Sequence, residues 1–406
     1  MRLHLHDFSG HPFQVQLSRR LAALGDEVRH SYCDQYVGGK GTITVNPGDP
    51  ETFTVAPVHS SARFDKYHPV RRAIFELAYA RDLWRELAAG RPDAVVLCNA
   101  PLLTTYVLKV MLRRRRVPWI FWHQDIYSMG MRDEVARRLP APLAWVLAGL
   151  FARMERACVQ DASAVVAIDE VFLDRYRIWK VDTGHVTVIP NWAPLADIRP
   201  VARDNEWSRG TRLPLAPLRV LYSGTLGRKH NPLLLVRLLR QLRAAGVDAH
   251  LIVVSQGDGV EQLRAAVENE ARITLLPFQP AERLAEVLSS ADVLVALLEP
   301  KASRFSIPSK VLSYLAAGRP IAGLMPEDNA AALAIRSVGS VTASPDDRGL
   351  AEITRWIWQL SNAPAERERL GYRSRSYAER EFDINSIGER FQNLLTHQCA
   401  TRPDRA

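Results

Sequence analysis

Three short stretches carry side chains suited to holding, or reacting beside, a charged ligand. The richest is Ile307-Pro-Ser-Lys-Val-Leu-Ser-Tyr-Leu-Ala-Ala-Gly-Arg-Pro320, which lies between two apolar runs, Val293–Leu298 and Ile321–Leu324. Pro308 suits a first helical turn, Gly318 suits a helix end, and Val311, Leu312, Leu315 and Ala316 recur at helical spacing. The spacing predicts a helix whose first turn offers free backbone N–H groups beside the Ser309 hydroxyl and the Lys310 ammonium. Such a turn suits a phosphate or diphosphate. An ordinary βαβ crossover with a surface lysine has the same pattern. In the second stretch, Tyr222-Ser-Gly-Thr-Leu-Gly-Arg-Lys-His-Asn231, Arg228 and Lys229 follow Gly224 and Gly227, as in an anion-binding loop or a solvated one. The third, Trp122-His-Gln-Asp125, puts His123 and Asp125 at the end of an apolar strand. Taken alone, a histidine there reads as structural.

The elements that must position these residues alternate along the chain. Arg2–His6 begins a strand and Phe13–Leu24 a helix stopped by Gly25. Strands are expected at Asp93–Cys98, Trp119–Trp122, Ala162–Ile168 and His185–Ile189, with a helix over Leu102–Leu112. Val37–Pro69, rich in Gly, Pro, Ser and His, reads as loops with short strands. A second alternating series runs through Leu218–Tyr222, Pro232–Ala245, His250–Val254, Ile273–Pro277, Ala281–Ser290 and Val293–Leu298 to the Lys310 helix. Alternation of this kind implies parallel sheets covered by helices. The expected organisation is a domain over 1–195, a Pro-rich linker over 196–217, a second domain over 218–375 and a charged helical tail over 376–406. Two such domains face each other across a cleft at the carboxyl ends of their strands.

Composition excludes several classes. A 406-residue chain is too long for one small core. Cys33, Cys98, Cys158 and Cys399 show no metal-ligand or disulfide spacing, so a reducing compartment and no structural metal are expected. The N-terminus has no apolar stretch of the secretory type, and no run reaches the length of a spanning helix. The chain is therefore expected in the cytoplasm or on the inner face of the membrane. A net charge of +9 favours an anionic partner. Nucleic acid is not indicated, because no recognition motif accompanies the charge. Arg113–Arg116, Arg137, Arg138, Arg153 and Arg156 flank the apolar, Trp-bearing segments Leu102–Leu112 and Leu143–Phe151. That arrangement fits docking on an anionic membrane, or helices packed on a sheet with solvated arginine ends.

The ordered motifs resemble the family 4 glycosyltransferases of GT-B fold, and are similar in pattern to bacterial exopolysaccharide enzymes of the colanic acid type. Tyr222–Asn231 resembles the family's glycine-plus-basic loop, and Val254-Ser-Gln-Gly-Asp-Gly259 its Gly-x-Gly turn. Leu276-Pro-Phe-Gln-Pro280 with Ala291-Asp292 resembles its base-binding loop, and Pro308–Pro320 its last phosphate block. Ile189-Pro-Asn-Trp192 matches as well. The resemblance implies two Rossmann-like domains, a nucleotide-sugar donor, a glycan or lipid-linked glycan acceptor, and no cofactor or metal. It implies that Gly10, Gly224, Arg228, Lys229, Ser309 and Lys310 hold the donor diphosphate, and that Gln256, Phe278 and Ser313 hold base and ribose. His123, with Asp125 orienting the site, is the implied catalytic pair near the donor sugar. Asp7, Asn99 and Glu170 are further cleft residues without a motif.

One departure stands out. Counted back from Gly318, the family's Glu-x7-Glu positions hold Phe305 and Ser313. Neither is a carboxylate, which bears on the donor sugar and on the retaining outcome that the resemblance implies. Two alternatives follow, a nucleotide-sugar epimerase of the same fold and a non-catalytic scaffold of a polysaccharide assembly complex.

Overall fold

A computed structural model describes residues 1–36, 43–65, 68–215, 218–227, 230–267, 270, 272–299 and 310–400. The chain forms two compact units, one of residues 1–191 with 384–406 and the other of residues 192–383.

The first unit is a seven-stranded, all-parallel sheet in the order β3-β2-β1-β4-β5-β6-β7. The strands are β1 (Arg2–Asp7), β2 (Glu27–Cys33), β3 (Phe53–Val58), β4 (Ala94–Cys98), β5 (Trp119–His123), β6 (Ala164–Ala167) and β7 (Val186–Val188). Helices α1 (Pro12–Ala23), α2 (Pro69–Gly90), α3 (Leu102–Arg114), α4 (Tyr127–Arg138), α5 (Ala141–Asp161) and α6 (Val171–Ile178) connect them. β4, β5 and β6 are buried throughout because helices cover both faces of a parallel sheet, which is why they read as continuous apolar runs.

The second unit repeats the plan with six parallel strands, in the order β10-β9-β8-β11-β12-β13. These are β8 (Leu218–Ser223), β9 (Ala249–Val254), β10 (Ile273–Leu276), β11 (Val293–Leu297), β12 (Ile321–Leu324) and β13 (Val341–Ala343). Its helices are α7 (Glu206–Gly210), α8 (Leu233–Ala244), α9 (Gly259–Ala266), α10 (Leu284–Ser289), α11 (Lys310–Ala316), α12 (Ala330–Ser337), α13 (Asp347–Ser361) and α14 (Pro364–Glu381). Two apolar clusters form its core. One is centred on Leu221, Ile252, Leu294 and Leu315, and the other on Val220, Leu251, Val295 and Ile353. Successive β8 residues fall in opposite clusters, as the two-residue period of a strand requires.

Residues expected to link the domains belong to the second unit instead. Trp207 and Leu213 are buried in its core, and Asn205 caps α7 by accepting from the Ser208 N–H. Arg219 fastens this segment. Its fully buried guanidinium pairs with Asp204 at 2.8 Å and donates to the carbonyls of Pro214, Arg203 and Ser290. The last helix, α15 (Ile384–Ala400), returns to the first unit. There Phe391 meets Trp122 edge-on at 5.1 Å, and Gly388 lies so close to Arg20 that a Cβ would come within 2.4 Å of its side chain.

Two elements have no clear apolar period in sequence. β2 contains Arg29, His30 and Ser31, yet lies inside the sheet. Its buried hydroxyl and imidazole bond within the layer: Ser31 Oγ bonds His4 Nε2 at 2.7 Å and His6 Nδ1 at 2.9 Å, while His30 Nδ1 bonds Ser18 Oγ at 2.8 Å and its Nε2 finds no partner among the described residues. α2 is the other. Val70, Ile74 and Leu77 are exposed along it while Phe75, Tyr79 and Leu83 are buried, so apolar residues fall on both of its faces.

Candidate functional site

In an open parallel sheet, ligands collect where the strand order reverses, at the carboxyl ends of the two strands that flank the reversal. In the second unit those strands are β8 and β11. The loop after β8 opens at Gly224, whose φ of 145° is closed to residues with a Cβ. A Cβ there would also stand 3.1 Å from both Cε and Nζ of Lys310. Lys310 begins α11, and its ammonium donates to Tyr222 Oη at 2.5 Å and sits 4.3 Å over the Tyr222 ring centroid. Among the described residues no carboxylate lies within ion-pair distance of it. Burial lowers its pKa to about 7.

The surrounding backbone is fixed. Tyr314 Oη accepts from the Ser223 N–H and donates to the Ser223 carbonyl, each at 2.9 Å, which pins the end of β8 to α11. The β8 loop is fastened to the turn after β9 by Leu226 N–H to the Gln256 carbonyl (2.9 Å) and Gly259 N–H to the Leu226 carbonyl (2.9 Å). Gly257 permits this approach, since a Cβ there would lie 2.7 Å from the Leu226 oxygen. The exposed side chains of Gln256 and Phe278 stand beyond the ends of neighbouring strands β9 and β10, and Ser313 lies one helical turn after Lys310. The structure therefore gathers Gly224 and Lys310 and sets Gln256, Phe278 and Ser313 on adjoining elements. Arg228, Lys229, Phe305 and Ser309 lie outside the described residues.

In the first unit the strand order reverses between β1 and β4. Asp7, at the end of β1, is fully buried and gathers both neighbouring loops. It accepts from Ser9 Oγ (2.8 Å), the His11 N–H (2.6 Å) and Asn99 Nδ2 (2.8 Å). Burial raises its pKa, and these hydrogen bonds oppose the rise. Asn99 adopts a left-handed φ of 51° to reach it, and Gly10 turns the β1 loop with φ 60°. Asp7 and Asn99 are thus joined in one cluster with the Gly10 loop. Glu170 sits apart, exposed at the start of α6.

His123 has a different setting from the one the motif suggests. It is fully buried at the end of β5, with Nδ1 2.7 Å from Tyr176 Oη and Nε2 3.0 Å from Glu155 Oε1. The equally buried Glu155 also accepts the N–H groups of Tyr127 (2.6 Å) and Ser128 (3.0 Å), the first turn of α4. A carboxylate only accepts, so Nε2 carries the proton toward Glu155, and in the neutral ring Nδ1 accepts from Tyr176. Both nitrogens are engaged, and neither faces solvent. This network ties β5, α4, α5 and α6 together. Asp125, two residues on, is exposed. Glu155 and Tyr176 had no sequence signal, because each meets His123 only through the fold.

α5 presents an exposed apolar face. Leu143, Trp145, Val146 and Leu150 are all exposed, Trp145 at 79%. Exposed Arg137, Arg138 and Arg153 flank them. No helix among the described residues is long and apolar enough to cross a membrane.

Residues 11–192 match the family model of a glycosyl transferase 4-like domain, and residues 217–358 match that of glycosyl transferases group 1. Among solved structures the chain is similar to a sucrose-phosphate synthase from Thermosynechococcus elongatus, with 16% identity, a TM-score of 0.73, and coverage of 98% of this chain and 99% of that one. It is similar to Anabaena HepE in complex with UDP and glucose, at 15% identity and TM-score 0.70 over 98% and 99% of the two chains. WaaG, a glycosyltransferase involved in lipopolysaccharide biosynthesis, aligns at 12% identity and TM-score 0.67 over 97% and 99%. At these identities the likeness is one of fold, which is GT-B. No curated protein matches the chain.

Proposed function

We propose that this chain, which belongs to the glycosyltransferases of GT-B type and joins a glycosyl transferase 4-like domain to a group 1 domain, moves a sugar from a nucleoside-diphosphate donor to a glycan acceptor in surface polysaccharide synthesis. The observation that carries the donor assignment is the Lys310 ammonium over Gly224, with no carboxylate partner among the described residues, at the strand reversal of the second sheet. An unneutralised cation on a fixed glycine turn suits a diphosphate. Arg228, Lys229 and Ser309 of the motif add to that charge and hydrogen bonding. Gln256, Phe278 and Ser313 face base and ribose, with Ser313 in place of the family's glutamate.

The transfer is proposed to retain configuration and to need no metal. The acceptor hydroxyl attacks the anomeric carbon on the face that the diphosphate leaves. The bond from that carbon to the phosphate oxygen breaks, and the hydroxyl proton passes to the departing diphosphate. Lys310, with the motif's basic pair, offsets the charge that develops there. His123 is assigned to positioning, since its nitrogens serve Glu155 and Tyr176. Asp125, exposed beyond the same strand, is the residue of that motif left to meet substrate.

A thermal-shift screen against UDP, GDP and dTDP tests the donor assignment, because a ligand that binds only the folded state raises its melting temperature with concentration. One nucleotide is expected to stabilise the wild type, and Lys310→Met to weaken that nucleotide roughly 10- to 100-fold, the loss typical of one charge-assisted contact. Equal shifts in both proteins would remove Lys310 from the site.

The acceptor is proposed to be lipid-linked, met at the inner face of an anionic membrane through the exposed face of α5. Trp145 and its neighbours insert at the interface while the arginines meet phosphates. Co-sedimentation with vesicles of phosphatidylglycerol and phosphatidylethanolamine should show binding that Trp145→Glu reduces on the order of tenfold. Equal recovery with and without vesicles, together with full activity on a soluble acceptor, would contradict docking.

A further inference from the structure

We propose that Tyr222 is a positioning residue for donor binding, whose hydroxyl and ring face hold the Lys310 ammonium over Gly224. This rests on the donor assignment above and gives a role to the tyrosine that opens the Tyr222–Asn231 stretch. Tyr222 is fully buried near the end of β8. Its hydroxyl proton goes to the Thr225 carbonyl at 3.0 Å, which leaves the oxygen's lone pairs free for the Lys310 ammonium at 2.5 Å. The same ammonium lies 4.3 Å over the ring, in a cation–π contact. Thr225 belongs to the glycine loop itself, so one side chain sets both the loop and the cation.

The neutrality of this cradle is what recommends it. A carboxylate holding Lys310 would cancel the charge that an anionic ligand needs, whereas a tyrosine orders the side chain and leaves the charge intact. A lysine free in solvent would have to lose its rotamer freedom on binding. The ionisable groups around Lys310 are few among the described residues. Tyr222 and Tyr314 are held protonated by burial, β11 brings no charge, and from α14 Arg375 reaches the Ala316 carbonyl at the far end of α11. Gly224 completes the cradle, because any Cβ there would press on the ammonium.

Calorimetric titration of UDP, GDP and dTDP into wild type, Tyr222→Phe, Lys310→Met and the double variant tests the proposal. Tyr222→Phe removes one oxygen and keeps the ring, and is expected to weaken the tightest nucleotide roughly tenfold. The double variant is expected to be no weaker than Lys310→Met alone, since both changes disable one contact. Wild-type affinity should fall as pH rises through about 7, and Lys310→Arg should abolish that fall. The ligand-free protein gives a second readout: the Lys310 Cε resonance should move in Tyr222→Phe while resonances remote from the site stay in place. Tyr222→Phe binding like wild type with an unmoved Lys310 resonance overturns the proposal, as do losses that multiply in the double variant. Wild type that binds none of the three nucleotides overturns the donor assignment itself, and the role of Tyr222 with it.

Discussion

Lowering the pH from 7 to 5 is expected to destabilise the first unit by about 2 kcal/mol for each of two buried histidines, His4 and His30, with His6 acting in the same direction. His4, His6 and His30 lie inside the β1–β2 layer. Burial, aided by Arg29 near His4 and Arg19 near His30, lowers the pKa of each of those two from 6.5 to about 3. Burial, with repulsion from both of them, holds His6 well below 6.5 as well. The sign follows from where protons bind. Above pH 6.5 neither state is protonated, and the full stability is present. Below it the unfolded chain takes up a proton at each histidine while the fold does not, so stability falls until the pH reaches the folded values. Over the window from 6.5 to 5 the loss is set by the unfolded pKa alone. Asp7, Glu76 and Asp169, whose carboxyls burial raises, act in the opposite sense and return stability only as the pH falls through their raised values. A loss of about 4 kcal/mol from His4 and His30 alone is a large share of the stability of an ordinary domain. Urea midpoints at pH 7, 6, 5.5 and 5 should show the slope. His30→Asn and His4→Gln, which keep the ring nitrogens' partners Ser18 and Ser31, should each flatten it by about one proton. Unchanged midpoints across the range would contradict the buried, neutral assignment.

Replacing Arg219 by Ala is expected to cost about 3 kcal/mol in the second unit, because buried carbonyls lose a charged donor. Its guanidinium has no solvent exposure and is shared among Asp204 and three carbonyls on two chain segments. Removal leaves the Pro214 and Ser290 carbonyls without this donor and frees residues 203–214 from the start of β8. The loss should be local before it is global. Hydrogen exchange across 203–214 is expected to accelerate, with the urea midpoint of the second unit falling as well. A cost under 1 kcal/mol with unchanged exchange would mean that Trp207 and Leu213 hold the segment alone.

β4, β5, β8, β9 and β11 are plain in sequence because a sheet covered on both faces demands unbroken apolar runs. β2 was illegible because His30 and Ser31 are buried by virtue of partners on β1 and α1. The 196–217 segment reads as a linker because one short helix shows no period, and Arg219 reveals its attachment only in three dimensions. At the site, Gly224 and Lys310 were legible as separate motifs, but their meeting through Tyr222, 88 residues before Lys310, was not. The histidine of Trp122–Asp125 shows the reverse. Its position suggested chemistry, and the fold surrounds it with Glu155 and Tyr176.

The most direct measurement is product analysis after incubating the protein with UDP-, GDP- and dTDP-sugars and a lipid-linked glycan extract. Transfer from a nucleoside-diphosphate donor predicts release of one nucleoside diphosphate, a glycan longer by one sugar, and loss of both in Lys310→Met. Conversion of a nucleotide sugar to its epimer without an acceptor, or no turnover of any donor by wild type and variant alike, would contradict it.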